Sequence, residues 1–214
     1  MKIFFPVLFL MLVLPLYSQS RAIEIFQIGR DLEGRGLIQE AESHYNEVVR
    51  ICRDEISRNI ATRDTYTAMT WALQRQGNFG EVISWGAQGL RLFANEYRIV
   101  QTMGEAYFYL NDFDNSLRFM QRYVNSVPTG DRVSVAYFFK GEIYRLERKF
   151  YLAEMAYSTA IRLQPAIALW WFRMGQVRES FGEGLLAAEA YGQALRLNPN
   201  YQLAADGLAR VRSQ

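Results

Sequence analysis

One cysteine, Cys52, and one histidine, His44, are all that this 214-residue sequence offers of either type. A single thiol excludes an intrachain disulfide, and Cys52, among the helix-compatible residues Val48 to Ile56, reads as a small apolar filler. No second histidine, thiol or paired acidic cluster accompanies His44, so no metal site is expected and no cofactor is implied. The same shortage removes most histidine-based triads. Neither a Gly-x-Ser-x-Gly turn nor a glycine-rich phosphate loop takes their place. The chain therefore reads as a non-enzyme. Charge of one sign is also missing. The 24 basic and 22 acidic residues nearly cancel, and without a basic block nothing favours nucleic acid as a partner.

What is present begins with an apolar leader. Lys2 gives a positive start, Ile3 to Leu16 is apolar apart from Pro6 and Pro15, and Ser18-Gln19-Ser20 places small residues at alternate positions. This is the layout of a secretory signal peptide, expected at 1–20 with cleavage after Ser20. The run is shorter than the roughly 18–20 residues of a spanning helix, so the mature chain, 21–214, is expected to hold no membrane span. The single lysine ahead of the apolar run suggests a bacterial exporter and a periplasmic location. Secretion from the cell and anchoring by an uncleaved leader are the alternatives.

Between Ser134 and Pro199 one pattern occurs twice. Gly141, Ala153, Tyr157, Ala160, Leu163 and Pro165 return as Gly175, Ala187, Tyr191, Ala194, Leu197 and Pro199, each 34 residues later. A unit repeated at such a period cannot bury its apolar face alone and must stack on its neighbours. Gly and Ala at helix crossings let two backbones approach while aromatics fill the gaps between layers. Each proline stops a helix. The period and the order Gly, Ala, Tyr, Ala, Pro resemble the tetratricopeptide repeat, a helix–turn–helix unit.

The resemblance implies an all-α, right-handed superhelical solenoid of five units, at about 22–55, 63–96, 97–130, 134–167 and 168–201, with a capping helix over 201–213. In the first unit Ala22, Ile25, Ile28, Gly29 and Leu32 form the apolar stripe, and its second helix runs on to about Arg58. The second unit departs most from the pattern. Thr70 stands where Gly is usual, and Gly86 and Gly89 are expected to weaken its second helix. Gly77-Asn78 and Asn111-Asp112 mark turns, and Asp131 is expected to cap a helix after a slightly longer loop. In the fifth unit Gly184 occupies an apolar position that Leu185 would fill after a local shift.

In such arrays first helices line a concave groove where peptides bind. Carried over by register, the groove residues are Phe26, Arg30, Trp71, Arg75, Arg98, Glu105, Phe108, Tyr109, Phe138, Glu142 and Phe172. Aromatic and arginine side chains are enriched at binding hot spots. Trp71, Tyr109 and Phe138 are expected to anchor a partner segment, with Arg75 and Arg98 orienting its acidic groups. Phe138 and Phe172 could instead pack against the adjacent repeat. Members of the family that clamp a chaperone's C-terminal carboxylate use Lys and Asn. Here the matching places hold Phe26, Arg30, Ala68, Arg98 and Thr102, so that subtype is not met. The resemblance thus implies an exported adaptor that binds a protein or peptide, most simply another envelope protein. The alternatives are a self-associating or neighbour-joining component of a large periplasmic assembly, joined through Trp85, Trp170 or the segment from Cys52 to Ile60, and a carrier of small hydrophobic ligands. A mature N-terminus at Arg21, found by sequencing the protein from its native source, is the expected outcome for the leader. A protein that still begins at Met1 would show an uncleaved anchor.

Overall fold

The computed structural model describes residues 20–213, so the expected leader lies outside the described residues except for Ser20. Helices pair in chain order: α1 (Arg21–Gly34) with α2 (Ile38–Ser57), α3 (Arg63–Arg75) with α4 (Phe79–Leu92), and α5 (Tyr97–Tyr109) with α6 (Phe113–Ser126). Then follow α7 (Val133–Leu146) with α8 (Phe150–Leu163) and α9 (Ala168–Ser180) with α10 (Gly184–Leu197). A last helix, α11 (Gln202–Arg212), closes the C-terminal end. No strand occurs among the described residues, and the fold is an all-α repeat solenoid. No helix among them is long and apolar enough to cross a membrane. The long second helix of the first unit ends at Ser57, close to the expected Arg58.

Each hairpin turns through one residue of left-handed backbone. These are Gly36, Gly77, Asn111, Arg148 and Gly182, at φ of 80°, 73°, 60°, 59° and 77°. Glycine is the usual solution there because it has no Cβ to clash, and Asn is the common substitute. Arg148 is neither. Caps are mixed. Thr62 and Thr65 form a reciprocal capping box at α3, and the Asp112 carboxylate accepts from the Asn115 backbone N–H at α6. Asp131 does not cap α7, because that helix starts at Val133 and Arg132 occupies the cap position without a side-chain bond.

The hairpins close on pairs of small and large residues. Gly29 faces Tyr45, Gly104 faces Met120, Gly141 faces Tyr157 and Gly175 faces Tyr191. A Cβ added to Gly141 or Gly175 would lie 2.6 Å from the tyrosine ring. In the second unit the sizes are exchanged, with Thr70 on the first helix and Gly86 on the second, both buried. The Thr70 hydroxyl is satisfied by donating to the carbonyls of Tyr66 and Thr67 at 3.0 and 2.9 Å. Met103 of the next repeat fills the space beside Gly86. Gly89 admits Tyr66 and Ile99 in the same way. The two glycines thus do not break α4. They let its neighbours approach, and that packing offsets their poor helix propensity.

First helices α1, α3, α5 and α7 touch in succession and form the inner layer, while each second helix packs on the first helices of its own and the next unit. Phe138 stacked on Trp170 carries the layer from α7 to α9. Several expectations change. The buried stripe of α1 is Ala22, Ile23, Phe26, Gly29 and Leu32, whereas Ile28 is half exposed. Trp170 and Cys52 are buried and cannot join a neighbour. Burial also pushes the Cys52 thiol up to about 12. Helix α10 begins at Gly184 without a shift, and Leu185 is left 90% exposed.

Gly141→Ala should cost about 1–3 kcal/mol by overpacking the crossing, read as a lower melting temperature. Gly80→Ala is the control, because its Cβ would meet nothing within 4 Å, and it should gain roughly 0.5–1 kcal/mol. Equal melting temperatures for the two variants would show that the crossing is not limited by size.

Candidate functional site

The inner layer encloses a groove between α1, α3, α5 and the turn from α6 to α7, with a volume of about 710 Å³. Its apolar shelf is made by Phe26 and Trp71, whose rings lie 5.2 Å apart. The Arg98 guanidinium stands 5.9 Å from the Trp71 ring centre, a cation–π contact. Tyr97 and Tyr123, 6.4 Å apart, add a second aromatic edge near Val127 and Gly130. Helical spacing explains the placement. Phe26 and Arg30 lie one turn apart on α1, as do Trp71 and Arg75 on α3, so each pair shares a face.

Electrostatically, the groove is mostly neutralised from within. Arg98 donates to Asp64 and Glu96, both at 2.7 Å, and the Glu96 bond in particular holds its pKa above the usual arginine range. Arg75 is bound to Glu33 through both Nε, at 2.9 Å, and Nη2. Glu105 is buried beneath the surface and accepts from Gln74 at 2.5 Å, from Gln101, and from Arg132 at 2.7 Å. Arg30 also lines the groove, and it has no ion-pair partner among the described residues.

Of the residues expected in the groove, Phe26, Arg30, Trp71, Arg75, Arg98 and Glu105 line it. The other five are engaged elsewhere. Tyr109 is stacked on Phe79 at 4.6 Å and stays half exposed. Phe108 meets Phe139 edge-on at 5.0 Å. Phe138 stacks on Trp170 at 5.4 Å, and Phe172 is buried between Tyr191 and Tyr201. Phe108, Phe138 and Phe172 pack between layers, while Tyr109 stays half exposed outside this groove. Arg75 and Arg98 line the groove, but carboxylates of this chain already hold their guanidinium groups. Sequence register missed Tyr97, Tyr123 and the contribution of Asp131 and Arg132. The three extra residues after Pro128 were the signal, because a longer turn can fold over the groove's edge.

A recurring contact ties the units together. Tyr45 donates to Glu33 at 2.7 Å, Tyr191 donates to Glu179 at 2.6 Å, and Tyr157 donates to Glu142. An arginine of the next unit reaches each carboxylate: Arg75 to Glu33, Arg210 to Glu179, and Arg173 to Glu142 at 3.1 Å. Arg145 also donates to Glu142 at 3.1 Å. Burial works against ionisation of Glu33, but the bonds from Arg75 and Tyr45 leave its pKa below the usual 4.5. The Arg210 bond does the same for Glu179. Burial, with the Glu33 bond, raises Tyr45 from 10 to about 12. A smaller open cavity of about 510 Å³ lies at Arg145, Phe150, Gln176, Glu179 and Ser180. No cluster of His, Cys, Asp and Glu able to hold a metal occurs among the described residues.

Residues 134–167 match the tetratricopeptide repeat family. The structure is similar to the crystal structure of MamA, with 20% identity over 71% of this chain and 81% of that one, at a TM-score of 0.63. It is also similar to a thermophilic tetratricopeptide-repeat protein of Thermus thermophilus, with 14% identity over 90% of this chain and 100% of that one, at 0.64. A third likeness is to YrrB, described as a tetratricopeptide-repeat protein with an unusual peptide-binding site. There the identity is 15% over 86% of this chain and 90% of that one, at 0.56. Comparison with curated proteins gives no match. The fold is therefore a helical solenoid of the tetratricopeptide type, and it supports a protein-interaction scaffold.

Glu33 and Glu179 have folded-state pKa values below 4.5. Their contribution to stability is complete above that pH and is lost as pH falls through the lowered values. Tyr45 has the opposite sign: its contribution is complete below pH 10 and is lost as pH rises through about 12. The melting temperature should fall on both sides, and Glu33→Gln should flatten both limbs. Unchanged limbs in that variant would show that the Tyr45–Glu33–Arg75 contact does not carry the pH dependence.

Proposed function

We propose that this chain is a non-catalytic adaptor that holds an extended segment of another protein in the groove of α1, α3 and α5. The observation that carries this reading is the shelf of Phe26 and Trp71 beside Arg30, the groove arginine left without an internal carboxylate. The Trp71 ring, backed by the buried ring of Phe26 and next to one localised positive charge, fits a segment with a large apolar side chain and a nearby Asp, Glu or C-terminal carboxylate. Gln74 and Gln101 spend amide donors on Glu105, which leaves the carbonyl oxygen of the partly exposed Gln74 as an acceptor for a peptide N–H. The peptide-binding description of YrrB supports the same use of the fold.

The apolar run of residues 3–16 supports export. On that reading the adaptor works in the bacterial periplasm and its partner is another envelope protein. The groove's polar and partly neutralised walls favour a peptide over a small hydrophobic ligand, which would need a closed apolar pocket.

Trp71→Ala combined with Arg30→Glu should reduce partner capture from the native envelope at least about tenfold, a loss of roughly 1.4 kcal/mol or more. Helical content should hardly change. A photo-crosslinker at Gln27, an exposed groove residue, should label the same partner, and a Trp71→Ala background should abolish the label. Capture and labelling at wild-type strength would remove the groove from the mechanism.

A further inference from the structure

The five units provide an internal comparison. The second and third residues of each second helix occupy the same place in the repeat, and the fourth is buried in all five: Ala41, Val82, Ser116, Ala153 and Ala187. In units one to three the second and third positions hold Gln39 and Glu40, Gly80 and Glu81, and Asp114 and Asn115. In units four and five they hold Tyr151 and Leu152, and Leu185 and Leu186. The sixth position is Ser43, Ser84 and Arg118 in the first three units and Met155 in the fourth. The repeat itself therefore does not require apolar side chains at these positions.

The apolar residues form one surface. Tyr151, Leu152, Met155, Leu185 and Leu186 are 75, 44, 68, 90 and 42% exposed. Phe181 joins the two units, with its ring 4.5 Å from that of Tyr151. Arg178 also spans them, donating to Glu154 of α8 at 2.9 Å and to the Leu186 carbonyl of α10 at 3.4 Å. None of these residues lines the groove. At about 200 Å² for a large side chain, the exposed fractions leave roughly 600 Å² of apolar surface, the upper end of about 300–600 Å² for the largest patch on a monomer.

We propose that this edge of units four and five is a self-association surface, covered by the same edge of a second copy across a two-fold axis. Area is one argument. Two such patches face to face bury about 1,200 Å², the lower bound of a stable interface. Charge is the other. Arg148 stands at the unit-four end of the patch, in the turn that leads into α8, and Glu183 and Glu189 stand at the unit-five end. All three are exposed and have no ion-pair partner among the described residues. A two-fold axis through the patch brings the basic end of each copy to the acidic end of the other, the self-complementarity an isologous interface requires. Arg148 is also the one long side chain among five equivalent left-handed turn residues.

The test is the molar mass of the full chain by size-exclusion chromatography with light scattering, across a concentration series. The wild type should shift from one chain mass to two as concentration rises into the tens of micromolar. Met155→Glu with Leu185→Asp should hold the mass at one chain, because like charges then face each other across the axis, with the melting curve of the monomer unchanged. Glu189 of unit five and Asp114 of unit three already stand at the equivalent positions of their own helices. Leu185→Asp alone should weaken the dimer about tenfold, since a charge buried at an apolar contact lacks compensation. A wild type monomeric at every concentration would overturn the proposal and leave the edge to a different protein. A dimer that survives the double substitution would overturn it as well, because association would then run through the groove or residues 1–19.

Discussion

The close crossing of the two helices within each unit is the constraint on which the rest of the structure depends. Where Gly141 meets Tyr157 and Gly175 meets Tyr191, there is no room for a single added carbon. That contact sets the distance between the layers. It also positions the tyrosine so that its hydroxyl reaches back to a carboxylate of the first helix. The next unit's arginine then meets the same carboxylate. Packing within a unit and pairing between units thus share one set of side chains, and a change at the crossing is transmitted to the neighbouring repeat.

The second and third units depart from this scheme where the groove lies. With Gly86 and Met120 in place of tyrosine, no hydroxyl is present to hold a carboxylate. The ion pairs there turn to the inner face instead, as Arg98 with Asp64 and Arg132 with Glu105. The groove is therefore lined by charges that are mostly satisfied within the chain, around the Phe26–Trp71 shelf. Burying a paired charge under a ligand costs less than stripping water from a free one. Arg30 is the groove arginine that no carboxylate among the described residues pairs with.

Two faces with different chemistry result. The groove is aromatic, amide-rich and internally neutralised. The edge of units four and five is apolar, with opposite charges at its two ends. A dimer formed through that edge would leave both grooves open, so the adaptor and building-block readings are compatible in one molecule. Two grooves held together also raise the effective concentration of one for a partner bound to the other.

Much of the architecture was legible from the 34-residue spacing of Gly141, Tyr157 and Pro165 with their counterparts. Local periodicity and chain-breaking residues determine where helices start and stop, and these depend on near neighbours in sequence. The turns at Gly77-Asn78 and Asn111-Asp112 belong to this level. So does the groove-lining face of α1 and α3, because helical pitch alone puts Phe26 with Arg30 and Trp71 with Arg75. Tertiary structure decided which side chains remain free. Phe138 and Phe172 occupy groove register, yet one stacks on Trp170 and the other is sealed beneath Tyr201. Arg75 and Arg98 look like ligands for a partner until Glu33 and Asp64 reach them from other parts of the chain, with Glu96 beside Arg98 adding a local bond. Leu185, one residue past a glycine where an apolar residue is usual, points outward because α10 begins without a shift. Exposure and charge pairing are set mainly by contacts between residues far apart in sequence, which one chain's periodicity does not contain.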